Sequence, residues 1–356
     1  MKILLLGEYS ALHKNLKEGL IELGHEAIVA GFGDSFKKVP VDVSFNSDLY
    51  GIFGKVHQLI KPLLYLPSMK GYDVVQLINP FLFHNSFYFP NEYFYNKIQK
   101  ENKKFFLLAA GDDAYFWKYG RKKLRYGPFD DILKYDYKRT SHYMELESSF
   151  EFNRKIVNLC NGVIPIMYEY ELSYEAAINN LCATIPIPIN TNLIKFSENT
   201  VKSRLVIFHG LNRYGFKGTR HVEVAFDYLR KKYPNDLELI IDGKMPINEY
   251  LKILNRSNVV IDQMYSYSLG LNGIYAMAMG KVVMGGAEPE SLTSLGVKDS
   301  PAINLYPSPN SIIEQVENLL DSRYQVVEIG RKSRVFAEKI HGHVNVAKRY
   351  IKTWDI

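Results

Sequence analysis

The chain has 356 residues, enough for two domains with separate cores. Hydrophobic residues make up 47% and charged residues 23%, the balance of a globular chain, and no stretch reaches the roughly 18 uncharged apolar residues of a membrane span. With only Cys160 and Cys182, a disulfide framework and a thiolate metal cluster are excluded; both thiols are expected to be inert core groups, and the expected setting is cytoplasmic.

Lys2–Leu6 reads as a buried first strand, since its apolar run is short, lacks a small-residue cleavage site and ends in Gly7 and Glu8. Leu12, Leu16, Leu20 and Leu23 then fall at helical spacing, with Gly24 as the stop. Glu26–Gly31, Asp73–Ile78, Phe105–Ala109 and Gly162–Ile166 read as further strands, and 91–99 and 144–158 as helices. This alternation predicts a parallel, doubly wound sheet. The two prolines of Thr184-Ile-Pro-Ile-Pro-Ile-Asn-Thr191 force extended backbone. The polar, aperiodic stretch 195–203 reads as a domain boundary.

The same grammar then restarts. Strands are expected at 204–208, 237–241, 258–262 and 281–284, with helices at 219–232, 247–254, 271–279 and 311–320. A long terminal helix over 335–354 is expected to break near Gly342. Ligands of such sheets bind beyond the carboxyl ends of the strands, so the loops there are the places to look.

The net charge of +6 is uneven, with nine Lys and Arg residues between Lys97 and Arg125. A solvated face is one reading. The other is a patch that meets anionic lipid headgroups or a polyphosphate-linked acceptor, with Phe116, Trp117, Tyr119 and Tyr126 as interfacial aromatics. No nucleic-acid recognition motif accompanies the charge.

Two loops carry the chemistry. His209-Gly-Leu-Asn-Arg-Tyr-Gly-Phe-Lys-Gly-Thr219 follows a strand and opens a helix. Its glycines admit close approach, the helix start presents free N–H groups, and Arg213 and Lys217 add two cations, together a site for a diphosphate. The Walker spacing is absent. A second glycine-rich loop, after the strand ending at Asp262, leads through Gly270, Leu271, Asn272 and Gly273 into another helix. No GxGxxG follows any predicted strand, which argues against a nicotinamide oxidoreductase.

The order His209-Gly, Arg213, Lys217-Gly-Thr, then Asp262-Gln, then Gly273, Ala276-Met-Ala278 and Gly280-Lys-Val resembles the C-terminal domain of retaining GT-B glycosyltransferases. The N-terminal Gly7-Glu-Tyr-Ser and Leu23-Gly-His-Glu26 resemble the same family. The resemblance implies an α/β fold of two Rossmann-like domains facing a cleft: an acceptor domain over 1–195, a donor domain over 203–335, and a terminal helix 336–356 packing back on the first. It implies a hexosyltransferase, retaining and independent of metal and cofactor, that moves a sugar from a nucleoside-diphosphate-sugar to a saccharide or lipid-linked saccharide in bacterial surface polysaccharide synthesis. The expected place is the cytoplasm, at the inner face of the membrane where the basic patch makes contact.

By position, the donor site is expected to draw on Gly7, Ser10, His209, Gly210, Arg213, Lys217, Gly218, Tyr267, Gly270, Leu271, Asn272, Gly273 and Tyr275. The family's Glu-x7-Glu pattern is missing, with Tyr267 and Tyr275 at its two positions, and Glu288 or Glu290 is expected to take over part of the carboxylate role. Where the family carries His-Gly-x-Asp, this chain has Ala110-Gly-Asp-Asp113; Asp112 and Asp113 either act on an acceptor hydroxyl or cap the next segment. Glu8, His13 and His84 are further candidate contacts. The alternatives are a nucleotide-sugar epimerase on the same scaffold and a degenerate chain that only binds nucleotide-sugar or a catalytic partner.

Overall fold

The computed structural model describes residues 1–34, 39–83, 91–135, 142–211, 214–243, 245 and 247–355. The chain divides into two compact units. One comprises Met1–Lys122, His142–Ile189 and His343–Ile356; the other comprises Lys123–Ser141 and Asn190–Gly342.

The first unit is built on six strands: β1 (Lys2–Leu6), β2 (Glu26–Gly31), β3 (Val43–Ser44), β4 (Val74–Leu77), β5 (Lys104–Ala109) and β6 (Gly162–Pro165). They pair in parallel in the order β3-β2-β1-β4-β5-β6, with Leu4 opposite Ile28 on one side and Val75 on the other. Parallel neighbours need crossovers, which is why helices such as Leu12–Glu22 and Glu147–Leu159 intervene. Covered on both faces, the central strands read as unbroken apolar runs; Ile3 to Leu6 are fully buried, each worth about 1.5–3 kcal/mol of transfer free energy. The terminal helix His343–Trp354 belongs to this unit and packs on Leu12–Glu22. They meet at Gly19, where a Cβ would overlap the His343 carbonyl oxygen. His343 Nε2 lies 2.8 Å from Glu22, and the Trp354 carbonyl accepts from Lys104 Nζ at 2.6 Å.

The second unit has five parallel strands: β7 (Leu205–Gly210), β8 (Leu237–Asp242), β9 (Val259–Ile261), β10 (Val282–Gly285) and β11 (Ile303–Asn304), in the order β11-β10-β9-β7-β8. The stretch 195–203 lies wholly in this unit.

Both orders reverse once. In the first unit the chain winds outward from β1 in one direction and from β4 in the other; in the second, from β7 and from β9. At each reversal the loops after the two central strands part, and the crevice they leave is where α/β sheets bind ligands. The loops concerned follow β1, β4, β7 and β9.

Nine strands stand where the apolar runs place them, each within two residues at its ends. The two-residue edge strands β3 and β11 are too short for any period to show. The terminal helix does break at Gly342, before His343–Trp354, and ahead of the break it is itself two pieces, Gln325–Phe336 and a widened turn Ala337–His341.

Candidate functional site

In the second unit the loops after β7 and β9 are tied together at one buried carboxylate. Asp262, at the end of β9, is 2% exposed. Its Oδ2 accepts from the Gly270 N–H at 2.8 Å, and its Oδ1 lies 3.3 Å from Lys217 Nζ. The Met264 N–H donates to the Lys217 carbonyl at 3.1 Å, so the two loops are joined through backbone as well. Small residues are required here: a Cβ at Gly270 or Gly273 would sit 3.1 or 2.9 Å from Asp262 Oδ2, and one at Gly218, whose φ is +78°, 3.1 Å from Met264. Gly210 faces the Tyr250 ring in the same way, at 3.3 Å.

The helix Leu271–Ala278 starts from this knot, with Gly270 as its cap residue. Ile274 N–H is the first to bond back, to the Gly270 carbonyl at 3.1 Å. The N–H groups of Leu271, Asn272 and Gly273 therefore have no acceptor within the helix, and they point out of its positive end. Lys217 is 15% exposed in its side chain and has three N–H donors, one of them directed at Asp262. One ammonium and one helix N-terminus thus stand beside a single fixed carboxylate, at the reversal point of the sheet. Arg213 lies outside the described residues.

His209 is fully buried behind this loop. Its Nδ1 donates to the Ile261 carbonyl and its Nε2 accepts from the Thr219 hydroxyl, each at 3.0 Å. Burial, helped by the charge of Lys217, lowers its pKa to about 4, so the ring is neutral. With both nitrogens committed, the expected donor contact becomes a strut between β9 and the helix Thr219–Lys232.

Tyr267 is also buried, and its hydroxyl accepts from the Arg125 backbone N–H at 3.0 Å and from Arg125 Nε at 2.9 Å. Arg125 Nη2 reaches Glu288 Oε2 at 2.7 Å and Glu290 at 3.4 Å. Glu288, 1% exposed, further accepts from Asn304 Nδ2 at 3.0 Å and from the Tyr126 hydroxyl. The expected transfer of a carboxylate role to Glu288 therefore meets a correction: its oxygens hold Arg125, Tyr126 and Asn304. Glu290 is the exposed member of the pair. Tyr275 stands half-buried on the helix that starts at Leu271.

In the first unit the loops after β1, β4 and β5 gather. Gly7 has φ +87°, and a Cβ there would lie 2.5 Å from Ile78. Ser10 and Ala11 follow with φ 55° and 67°, a left-handed conformation that costs a non-glycine residue about 1–3 kcal/mol. Ser10 N–H donates to Asp34 at 2.9 Å. Asn79, after β4, donates to the carbonyls of Ala110 and Asp112 at 2.7 and 3.2 Å. Gly111, at φ +72°, brings its backbone against the Tyr9 ring. Asp113 is fully buried, accepting from the Phe116 N–H at 2.7 Å and the Tyr174 hydroxyl at 3.0 Å, so of its two readings the geometry is that of a cap. Burial raises its pKa to about 7. Asp112 is half-buried.

Glu8 is 2% exposed, with Oε2 accepting from the Lys14 N–H at 2.8 Å and Oε1 buried without a hydrogen-bond partner. Burial raises its pKa to about 7, with Asp34 adding in the same direction. His13 donates from Nδ1 to the Gly7 carbonyl at 2.7 Å and accepts from Gln76 at 3.1 Å; burial lowers its pKa to about 4. His84 lies outside the described residues.

Of the aromatics in the basic stretch, Phe116 is buried and Trp117, Tyr119 and Tyr126 are half-buried, so none is exposed as an interfacial side chain must be. Arg125, read only as part of the basic stretch, and Asn304 are the residues that sequence reasoning passed over; each acts through a partner distant in sequence, and no local pattern marks them. Asp262 is marked as a motif position, but not as the group that ties the two loops.

No family model and no curated protein sequence matches the chain. Solved structures do. HepE of Anabaena, in complex with UDP and glucose, aligns over 100% of this chain and 99% of its own, with a TM-score of 0.64 at 13% identity. Sucrose-phosphate synthase of Thermosynechococcus elongatus aligns over 100% and 98%, with TM-score 0.64 at 12% identity. The UDP-GlcNAc 2-epimerase of Neisseria meningitidis, bound to UDP-GlcNAc, aligns over 99% of each chain, with TM-score 0.55 at 12% identity. At such identities the likeness carries the fold: the chain is an α/β protein of the two-domain GT-B type.

Proposed function

We propose that the chain is a glycosyltransferase that moves a sugar from a nucleoside-diphosphate-sugar to a saccharide or lipid-linked saccharide acceptor in polysaccharide synthesis. The observation that supports this most is the joining of Lys217 and the N-terminus of Leu271–Ala278 by Asp262 at the reversal point of the second sheet. A diphosphate fits there because an ammonium and free backbone N–H groups both bind phosphate oxygens. Arg213 is assigned to the same diphosphate. As the sugar–phosphate bond breaks, charge grows on the leaving diphosphate, and each preorganised donor contributes about 3–4 kcal/mol of transition-state stabilisation. Glu290 is the carboxylate proposed for the donor sugar, Asp112 the one for the acceptor hydroxyl. The reaction is proposed to retain anomeric configuration and to need no metal or cofactor, at a cytoplasmic position beside the membrane.

The test is to incubate the purified chain with a panel of nucleoside-diphosphate-sugars, with and without saccharide acceptors, in the presence of EDTA. Nucleoside diphosphate release that rises with acceptor, and a product of unchanged anomeric configuration by NMR, are expected. The epimerase reading is kept as the second outcome because one fold neighbour is such an enzyme. A new nucleotide-sugar epimer formed without diphosphate release would establish it and reject the transferase. Activity that returns only with manganese would reject metal independence.

A further inference from the structure

The helix Gly51–Tyr65 in the first unit is turned inside out. Projected at about 100° per residue, Ile52, Leu63, Val56, Ile60, Phe53 and Leu64 fill one sector of about 120° with no polar residue in it. A surface helix ordinarily turns such a stripe to the core. Here five of the six face water, Ile52 being 72% exposed, Phe53 77%, Val56 51%, Ile60 44% and Leu64 65%, and only Leu63 packs against the core. The side that touches protein carries Gly54, Pro62 and Lys61, whose ammonium donates to the Asn46 carbonyl. Tyr50, at the start of the helix, is 93% exposed.

The charges around the stripe identify what covers it. From Leu49 to Tyr72 there is no Asp or Glu, Lys55 and Lys70 are exposed, and the exposed Asp48 just before this stretch lies 3.9 Å from Lys61 Nζ. A second copy of this chain docked on the same face would bring Lys55 and Lys70 no carboxylate from the stretch 49–72. An anionic bilayer complements this face: the apolar sector enters the acyl boundary, Lys55 and Lys70 reach phosphate headgroups, and Tyr50 sits at the level where aromatic side chains anchor. At 15 residues the helix is too short to cross a bilayer, so it lies in the plane of the surface. We propose that Gly51–Tyr65 docks the protein on an anionic lipid surface. The inference does not depend on the transferase reading, and its readout is not activity.

The experiment is co-sedimentation of the full chain with vesicles of phosphatidylcholine alone and of phosphatidylcholine with phosphatidylglycerol. The wild type is expected to pellet with the anionic vesicles. Ile52→Gln/Phe53→Gln/Ile60→Gln is expected to lower partitioning by about tenfold or more while the melting temperature holds, because those side chains meet water in the free protein. Lys55→Glu/Lys70→Glu is expected to weaken binding to anionic vesicles, and Tyr93→Gln, exposed on another helix, to leave it unchanged. A wild type that stays in the supernatant with both vesicles overturns the proposal. So does a triple variant that pellets as well as the wild type. A dimer in sedimentation velocity that the triple variant abolishes, without vesicle binding, assigns the face to a second copy instead.

Discussion

Lys217→Met removes one partner of a buried pair and one arm of the proposed diphosphate site, and the two effects can be separated. Asp262 is left with a buried carboxylate oxygen facing a methyl group, while Oδ2 keeps its bond to Gly270. Breaking such a pair costs about 3 kcal/mol, the low end of the usual range, because one of the two bonds survives. In a domain of this size that lowers the melting temperature by about 6–12 °C. Adding Asp262→Asn removes the stranded charge, and Asn can still accept from the Gly270 N–H, so the double variant should recover most of the loss. Affinity behaves differently. The lost charge-assisted bond to phosphate is worth about 1.5–3 kcal/mol, so Kd for nucleoside diphosphate should rise about 10- to 150-fold in both Lys217→Met and the double variant. Calorimetric melting and isothermal titration give the two quantities on the same preparations. If the double variant regains stability and binds like the wild type, Lys217 is a structural cation and the diphosphate reasoning fails.

Three further outcomes follow from buried groups. Glu288→Ala should lower the melting temperature by several degrees, since it strands Tyr126, Asn304 and Arg125, whereas Glu290→Ala should stay within about 1 °C and act, if anywhere, on transfer rate. Glu8, with a folded pKa raised to about 7, stabilises the fold below pH 4.5 and loses that contribution as pH rises to about 7; Glu8→Gln should therefore gain up to about 3 kcal/mol over the wild type at pH 8 and nothing at pH 4, by urea unfolding. His209, with a folded pKa lowered to about 4, gives stability that is complete above pH 6.5 and is lost as pH falls towards 4; His209→Gln should flatten the acid limb of the second unit's stability profile.

The sheets were legible in the sequence because parallel strands covered on both faces are written as unbroken apolar runs, and β1, β2 and the helix Thr219–Lys232 stand where the residues place them. Glycines marked the loops after β1, β7 and β9 because backbone crowds there. What they could not mark is the object that crowds it: at Gly270 and Gly273 it is Asp262, part of the chain itself. Burial and partner choice were illegible for the same reason. His209, Asp113 and Glu288 are residue types that do chemistry, but each is closed in by groups from elsewhere in the sequence, and only three dimensions show their bonds taken. The helix Gly51–Tyr65 misleads in the opposite sense, since an apolar stripe ordinarily means core, and here it meets water.

The central claim is that the two joined loops of the second unit hold a nucleotide diphosphate whose sugar is transferred. Its most direct test is nucleoside diphosphate release by the purified chain from a panel of nucleotide-sugars, followed with acceptor present and absent. The account predicts release from at least one donor, stimulated by a saccharide or lipid-linked acceptor and lost in Lys217→Met/Asp262→Asn. Release that survives in that double variant, or epimer formation with no release, would contradict it.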